Sequence, residues 1–556
     1  MVEARRFPEA CVASPHYLAS AAGLAVLASG GNAVDAAVAT NLTLGVVAPY
    51  LCGFGGDLFA MVWRDGVAAY NGSGRAPVAA TPEAVRAALE SRRGPGGPEG
   101  SAADGPEGSA AGEPEGSGAA EGPDGSLAPR HVPLFGPLSV TVPGAPEAWF
   151  ALLDRFGTRS FGDLARWALR YAREGFPVSA RAAESFERAR GRYAGHPWAE
   201  AWFEAYGSVR AGSELRQPEL ARTIELLAED GPDAYYRGPI GEAIARCVRS
   251  LGGLLSEEDL AAHRGQWVEP LRAPYREVEV LELPPNTQGA TALEALRIVE
   301  AAGPLPPDGP DRHHLLIEAT KLALLDRDTH LGDPDHMRVP AERLLADDWV
   351  GERARAIGPL RASRLPPGRD LPPGTAYLCA ADREGTLVSL IQSNFTGFGS
   401  GVRVPGWGIN LQNRGASFTL DPSHVNAVGP RKRPLHTLIP AMALREGRPW
   451  LAFGTMGGQG QPQFQLQLLV RVVDDGEDLQ RAVDAPRWLV SSEDWSVEAE
   501  SRFGVRFAAE LRARGHELRL AGAYESIFGH AHAIAVTPQG YLAATDPRAE
   551  GAAVGL

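Results

Sequence analysis

Between residues 12 and 48 small apolar residues dominate, and the polar breaks among them divide the run into two helices. Ser14 can cap the first, which runs through Ala19 to Ala28 and stops at Gly30-Gly31. Asn32 caps the second, Ala33 to Val46, whose alanines allow close helix–sheet contact. After the glycine turn Cys52-Gly53-Phe54-Gly55-Gly56-Asp57 the pattern predicts an apolar strand, Leu58 to Trp63. A second strand, Val67 to Tyr70, follows across Asp65-Gly66, a strong hairpin signal. Leu138 to Val142 resumes the strand-like alternation, and from Pro146 to about Cys247 the pattern is helical. Within it Phe161 to Ala168 places apolar groups at i, i+3 and i+4.

Ser256-Glu257-Glu258-Asp259 matches a helix start with an acidic residue three after the cap. Tyr275 to Leu283 alternates as a strand, ending at Pro284-Pro285 and a small-residue loop, Asn286-Thr287-Gln288-Gly289. A helix containing His313 to Ala323 carries His314, Glu318 and Lys321 on one face. That face reads as solvated and salt-bridged in preference to a metal site. Gly374 to Ala381 and Thr386 to Ser393 are two short β runs around the turn Asp382-Arg383-Glu384-Gly385, which makes a hairpin. Gly429 to Pro440 is a basic, proline-bounded loop. A strand, Pro449 to Phe453, then enters Gly454-Thr455-Met456-Gly457-Gly458-Gln459-Gly460, which opens a long amphipathic helix through Gln463, Leu466 and Val470. Successive N–H groups at such a turn form an anion nest, the geometry an oxyanion hole needs.

Composition narrows the function classes. Hydrophobic content of 44% and charged content of 22% over 556 residues are ordinary for a soluble globular protein. The net charge of −14 argues against a nucleic-acid partner, and no span of about 18 uninterrupted apolar residues points to a membrane. Part of that charge is local: Gly94 to Pro129 is a low-complexity segment with recurring Pro-Glu-Gly, expected to be a disordered insertion. The cysteines Cys11, Cys52, Cys247 and Cys379 are scattered, with no C-x-x-C pair, which predicts neither a zinc site nor a disulfide framework and fits a cytoplasmic setting. No cofactor is expected.

Two features carry candidate chemistry. If the bond before Thr375 were cut, that residue would hold a hydroxyl nucleophile and a free α-amine, whose pKa of roughly 7.7–8.0 suits a base near neutral pH. Gly-Thr opening a strand is also a common structural device. Arg75, in the loop Asn71 to Pro77, reads either as a solvated loop residue or as a clamp for a substrate carboxylate.

Taken together, these runs resemble the gamma-glutamyltransferase family of N-terminal-nucleophile hydrolases. The likeness spans nearly the whole chain and includes Ser29 to Val38, Gly53-Phe54-Gly55-Gly56-Asp57, Val142-Pro143-Gly144, Ala172 to Phe176, Glu318 to Leu325 and Leu331 to Pro334. It continues through Phe398 to Gly401, Asn426 to Pro430, Arg433-Pro434-Leu435, Met456-Gly457-Gly458 and Asp546-Pro547-Arg548. The resemblance implies an α+β fold, a four-layer αββα sandwich. It implies self-cleavage at Gly374-Thr375 into a large subunit (1–374) and a small one (375–556), a heterodimer that can pair into a heterotetramer. Thr375 matches the nucleophile, Ser393 the hydroxyl that orients its amine, and Gly457 and Gly458 the oxyanion pair. The acyl group would pass to water, or to an amine in transpeptidation.

Departures concentrate where the substrate binds. Phe395 replaces an asparagine of the glutamyl enzymes, and after Asn413 their Gln-x-x-Asp reads Arg414-Gly415-Ala416-Ser417. Their adjacent serines become His436-Thr437, and Arg75 is offset by two positions from the carboxylate-binding arginine. Arg75, Asn413, Arg414, Ser417, His436 and Thr437 are therefore the candidate substrate contacts. Arg414 either suits an anionic acyl group or pairs with a neighbouring acid. The expected activity is hydrolysis of gamma-glutamyl amides such as glutathione. The alternatives are an amidohydrolase or acylase acting on another small anionic acyl amide, of oxamate or glutaryl type, and an uncleaved binding protein.

Overall fold

A computed structural model describes residues 3–93, 119–121 and 127–556. The expected Pro-Glu-Gly insertion lies outside the described residues except for a short antiparallel pair, Ala119–Glu121 with Leu127–Pro129. Two antiparallel seven-stranded sheets form the centre. The first runs in the order Ala552–Gly555, Cys11–Ser14, Ala376–Ala381, Leu387–Ser393, Asp57–Trp63, Val67–Gly72 and Gln266–Val268. The second runs Arg5–Phe7, Gly540–Thr545, Ala531–Thr537, Arg448–Thr455, Ala441–Arg445, Val278–Glu282 and Leu271–Tyr275.

Three apolar clusters turn these sheets into layers. Phe59, Tyr377, Cys379 and Ile391 of the first sheet pack directly against Leu281, Met442, Ala452 and Ile534 of the second. The outer face of the first sheet is covered by helices Tyr17–Ala28, Ala33–Val47, Ala145–Phe156 and Phe161–Glu174. Helices Gly289–Ala301, Pro310–His330 and Gly460–Leu469 cover the second. The result is the four-layer αββα sandwich of an α+β fold. Both faces of the hairpin Ala376–Ala381 and Leu387–Ser393 are covered, which is why every residue in it is buried.

Several local expectations hold, and others yield to packing. Asn32 and Asp35 form a reciprocal capping box, as do Ser256 and Asp259. The first helix instead starts at Tyr17 with His16 as its cap, because Ser14 ends a strand and its hydroxyl pairs with Ser20. Leu138 to Val142 forms no strand: Pro137–Ser139 is a 3-10 turn, and the Val142 N–H is taken by the Arg75 carbonyl at 3.1 Å. The run Tyr275 to Leu283 is broken at Arg276, whose φ of 53° reverses the chain between two strands. Helix Gly460–Leu469 is buried on every side rather than amphipathic. Its glutamines are accommodated by bonding strand and loop carbonyls, Gln463 to Val490 at 3.0 Å, Gln465 to Ile439 at 2.8 Å and Gln467 to Trp488 at 3.0 Å.

Trp149 locks the outer helices to each other. It is fully buried, donates its indole N–H to Asn41 Oδ1 at 2.7 Å, and meets Phe54 edge-on at 4.9 Å. Trp149→Ala leaves a large cavity and an unmet acceptor, so unfolding free energy should fall by about 3–5 kcal/mol. A urea denaturation midpoint close to wild type would contradict this.

Candidate active site

Ala376 pairs with Gln392, so one further step in the register sets Thr375 opposite Ser393. The Ser393 hydroxyl donates to the Gly374 carbonyl oxygen and accepts from the Phe395 N–H at 2.7 Å. The carbonyl immediately before Thr375 is thus hydrogen-bonded by a hydroxyl whose own position is held by backbone. The approach is close. A Cβ at Gly374, where φ is 156°, would lie 2.3 Å from the Phe395 carbonyl oxygen and 2.7 Å from the Gly397 nitrogen. Phe395 itself has φ of 80°, a conformation uncommon for a bulky residue, and this turns its N–H onto Ser393.

The glycine turn lies against the chain that runs into Thr375. A Cβ at Gly458 would sit 2.4 Å from the Leu371 oxygen and 2.5 Å from the Pro372 oxygen. The next N–H, from Gln459, donates to the Leu371 carbonyl at 3.1 Å. At the turn where the sequence suggests an anion nest, the Gln459 N–H thus holds a carbonyl of the chain itself. The same segment is fastened by Arg369, whose guanidinium donates to the Ala416 carbonyl at 2.7 Å and to the Ser417 carbonyl at 2.9 Å. A cavity of about 670 Å³ is lined by Arg369 and Leu371 together with Asp328, Ser417 and Asn426.

Beneath this lies a polar hub built on Asp57, fully buried at the head of its strand. Its Oδ1 accepts from the N–H groups of Gly74 and Gly144 and from Gln412 Nε2, each at 3.0 Å. Its Oδ2 meets His436 Nε2 at 3.1 Å. Burial pushes this carboxyl up to about 6, against the pull of the Arg414 charge and its N–H donors. Burial, and then Arg414, hold His436 well below the usual imidazole range, so it is neutral and donates Nε2–H to Asp57. Arg414 donates to Thr437 Oγ1 at 3.0 Å and lies 4.0 Å over the Phe395 ring. Gln288 closes the circuit, donating to the carbonyls of Thr437 at 3.0 Å and Gly458 at 2.9 Å.

Of the candidate contacts, Arg414, His436 and Thr437 are brought together with Phe395, Ser393 and the glycine turn. Asn413 is bound to backbone instead, accepting from Thr396 N at 3.1 Å and donating to the Leu134 carbonyl at 2.8 Å. Ser417 donates to the Arg414 carbonyl at 2.9 Å and so shapes the turn that carries the arginine. Arg75 is a third exposed, bonds the Arg431 carbonyl at 2.9 Å and pairs with Asp333 at 3.5 Å. The sequence alone assigns no role to Asp57 or Gln288, although each lies in a glycine- or proline-marked loop. The face of His314, Glu318 and Lys321 is buried rather than solvated, because the segment around His516 packs on it. His314, Glu318 and His516 bring donor atoms within 4.8 Å of one another. The positive charge among them is Lys321, 3.0 Å from Glu318 and 3.4 Å from His516.

The sequence profile described as gamma-glutamyltranspeptidase matches residues 19–102 and 121–556. The chain is 37% identical to the glutathione hydrolase-like YwrD proenzyme of Bacillus subtilis (strain 168), over 98% of each chain. It is 36% identical to the oxamate amidohydrolase proenzyme of Klebsiella pneumoniae subsp. pneumoniae, over 98% of this chain and 97% of the relative. The crystal structure of cephalosporin acylase from Bacillus halodurans superposes with a TM-score of 0.89 at 37% identity, covering 100% of this chain and 97% of that one. The chain belongs to the gamma-glutamyltranspeptidase family.

Removing the hub carboxylate would strand the donors that converge on it. Each buried donor left unmet costs about 1–3 kcal/mol, so Asp57→Ala should lose about 4 kcal/mol or more of stability. Calorimetric or urea unfolding that shows a loss below about 1 kcal/mol would remove Asp57 from this role.

Proposed function

We propose that this member of the family is a self-processing threonine amidohydrolase that cleaves small acyl amides through an acyl-enzyme. The observation that carries this reading is the Ser393 hydroxyl donating to the Gly374 carbonyl with Thr375 across the register from it. In self-processing, Thr375 Oγ attacks the Gly374 carbonyl carbon, and the oxygen gains negative charge beside the Ser393 donor. The bond from Gly374 carbon to Thr375 nitrogen breaks, the nitrogen takes the hydroxyl proton, and an ester remains. Water hydrolyses the ester, leaving residues 1–374 with a new carboxylate and 375–556 with a free α-amine, a heterodimer.

In turnover the same hydroxyl attacks a substrate amide. The α-amine removes its proton and passes it to the departing amine, and the N–H groups at Gly457 and Gly458 receive the oxyanion. The acyl group then goes to water. Transfer to an acceptor amine uses the same ester and differs only in the second nucleophile. Support comes from the relatives whose names describe proenzymes, an amidohydrolase and an acylase. A gamma-glutamyl amide is the family's own candidate substrate. The turn Arg414–Ser417, which presents a guanidinium and hydroxyl and no carboxylate, favours the acylase or amidohydrolase branch.

Denaturing electrophoresis should resolve two fragments, the smaller beginning at Thr375, while Thr375→Ala stays a single chain with no amidase activity. Losing one oxyanion donor typically costs about 10²–10³-fold in rate, so Ser393→Ala should slow the loss of the intact band by about that factor. An intact, inactive wild-type chain that persists on incubation would instead support a binding protein.

A further inference from the structure

Arg414 is an enclosed arginine near the candidate nucleophile, and its bonding is unfinished. Its side chain is fully buried, Nη1 donates to Thr437 Oγ1, and Nε and Nη2 have no hydrogen-bond partner among the described residues. A guanidinium offers five N–H donors in a planar fork suited to two oxygens of one carboxylate. Burying such a group with donors unmet is costly and is retained where a ligand completes it.

The acid facing it does not complete it. Asp57 is the charge that supports the protonated form, yet both of its oxygens are engaged by Gly74, Gly144, Gln412 and His436. The other charged or titratable neighbour, His436, is neutral and donates to Asp57. Burial pulls the guanidinium down to about 9, the direction expected of a cation lacking a bonded counter-ion.

Its place relative to the reacting bond follows two independent paths. Arg414 stacks on Phe395, whose N–H holds the Ser393 hydroxyl against the Gly374 carbonyl. It also bonds Thr437, whose carbonyl shares Gln288 with the carbonyl of Gly458. Both paths place Arg414 among the groups that hold the Gly374 carbonyl and the glycine turn. An α-ammonium would meet the opposite environment: the guanidinium repels it, and both oxygens of the nearby carboxylate are already engaged by other donors.

Resting on the amidohydrolase reading above, we infer that Arg414 receives the free carboxylate of a short dicarboxylic half-amide, and that the acyl group carries no α-ammonium. The Phe395 ring, 4.0 Å from the guanidinium carbon, and Thr437 hold the guanidinium and leave Nε and Nη2 for the two carboxylate oxygens.

The test compares kcat/KM of the mature enzyme for three anilides of matched acyl length: glutaryl, valeryl and gamma-glutamyl. A site built to bond a charged group rejects the analogue lacking it by large factors, so glutaryl should exceed valeryl by about 10²-fold and should exceed gamma-glutamyl as well. In Arg414→Met the glutaryl-to-valeryl ratio should collapse towards one, and Arg414→Lys should restore part of it. Wild-type preference for valeryl or gamma-glutamyl over glutaryl would overturn the inference while Thr375-dependent turnover kept the amidohydrolase reading intact. If no anilide is turned over, the amidohydrolase reading fails, and calorimetric titration of wild type and Arg414→Met with glutarate and with valerate still decides the inference. Glutarate binding that depends on Arg414 supports it, and equal or absent binding overturns it. That titration also covers the case in which the variant does not self-process, because wild type alone must discriminate glutarate from valerate.

Discussion

A single carboxylate that water cannot reach ties the two halves of this chain together. Asp57 collects N–H groups from the loops at Gly74 and Gly144, the amide of Gln412 and the ring of His436, so segments separated by as many as 379 positions meet at one side chain. Because the group is buried, its donors cannot be exchanged for solvent, and their directions become fixed. Arg414 sits within its field and His436 is kept neutral beside it. The charge pattern around the candidate nucleophile is set from this point.

Onto that hub the backbone adds a second constraint, one of space. Gly374 passes so near Phe395 that no side chain fits, and Gly458 passes equally near Leu371 and Pro372. These contacts put the carbonyl before Thr375 under the Ser393 hydroxyl and put the preceding carbonyls over the glycine turn. The backbone around the Gly374–Thr375 bond and the backbone of the glycine turn are thus packed against neighbouring chain with no room to spare. The segment leading to Thr375 is fastened by the Arg369 guanidinium and by the Leu371 carbonyl.

The buried glutamines of helix Gly460–Leu469 show how the interior tolerates so much polarity near the site. The amides of Gln463, Gln465 and Gln467 reach past their own helix to carbonyls of Val490, Ile439 and Trp488, and the helix is thereby pinned to its surroundings. An alternation of glutamine with apolar residues reads in sequence as one solvated and one buried face. It is instead a helix enclosed by carbonyl-bearing loops.

Local signals determined a good deal. The capping pairs Asn32–Asp35 and Ser256–Asp259, the hairpin that presents Thr375, and the glycine turn at 457–458 were all legible, since each depends on neighbours a few residues apart and on the torsions glycine permits. Thr375, Ser393, Gly457 and Gly458 come together as a candidate site only through the family resemblance, which draws on ordered motifs along nearly the whole chain. What only the tertiary structure decided was the company they keep. Asp57 with His436, Gln288 with Gly458, Phe395 with Arg414, and the buried His314–Glu318–Lys321 face were invisible or misjudged. A polar side chain looks alike in sequence whether it faces water or a partner hundreds of residues away. The closure of the two sheets and their helices settles which of these it is.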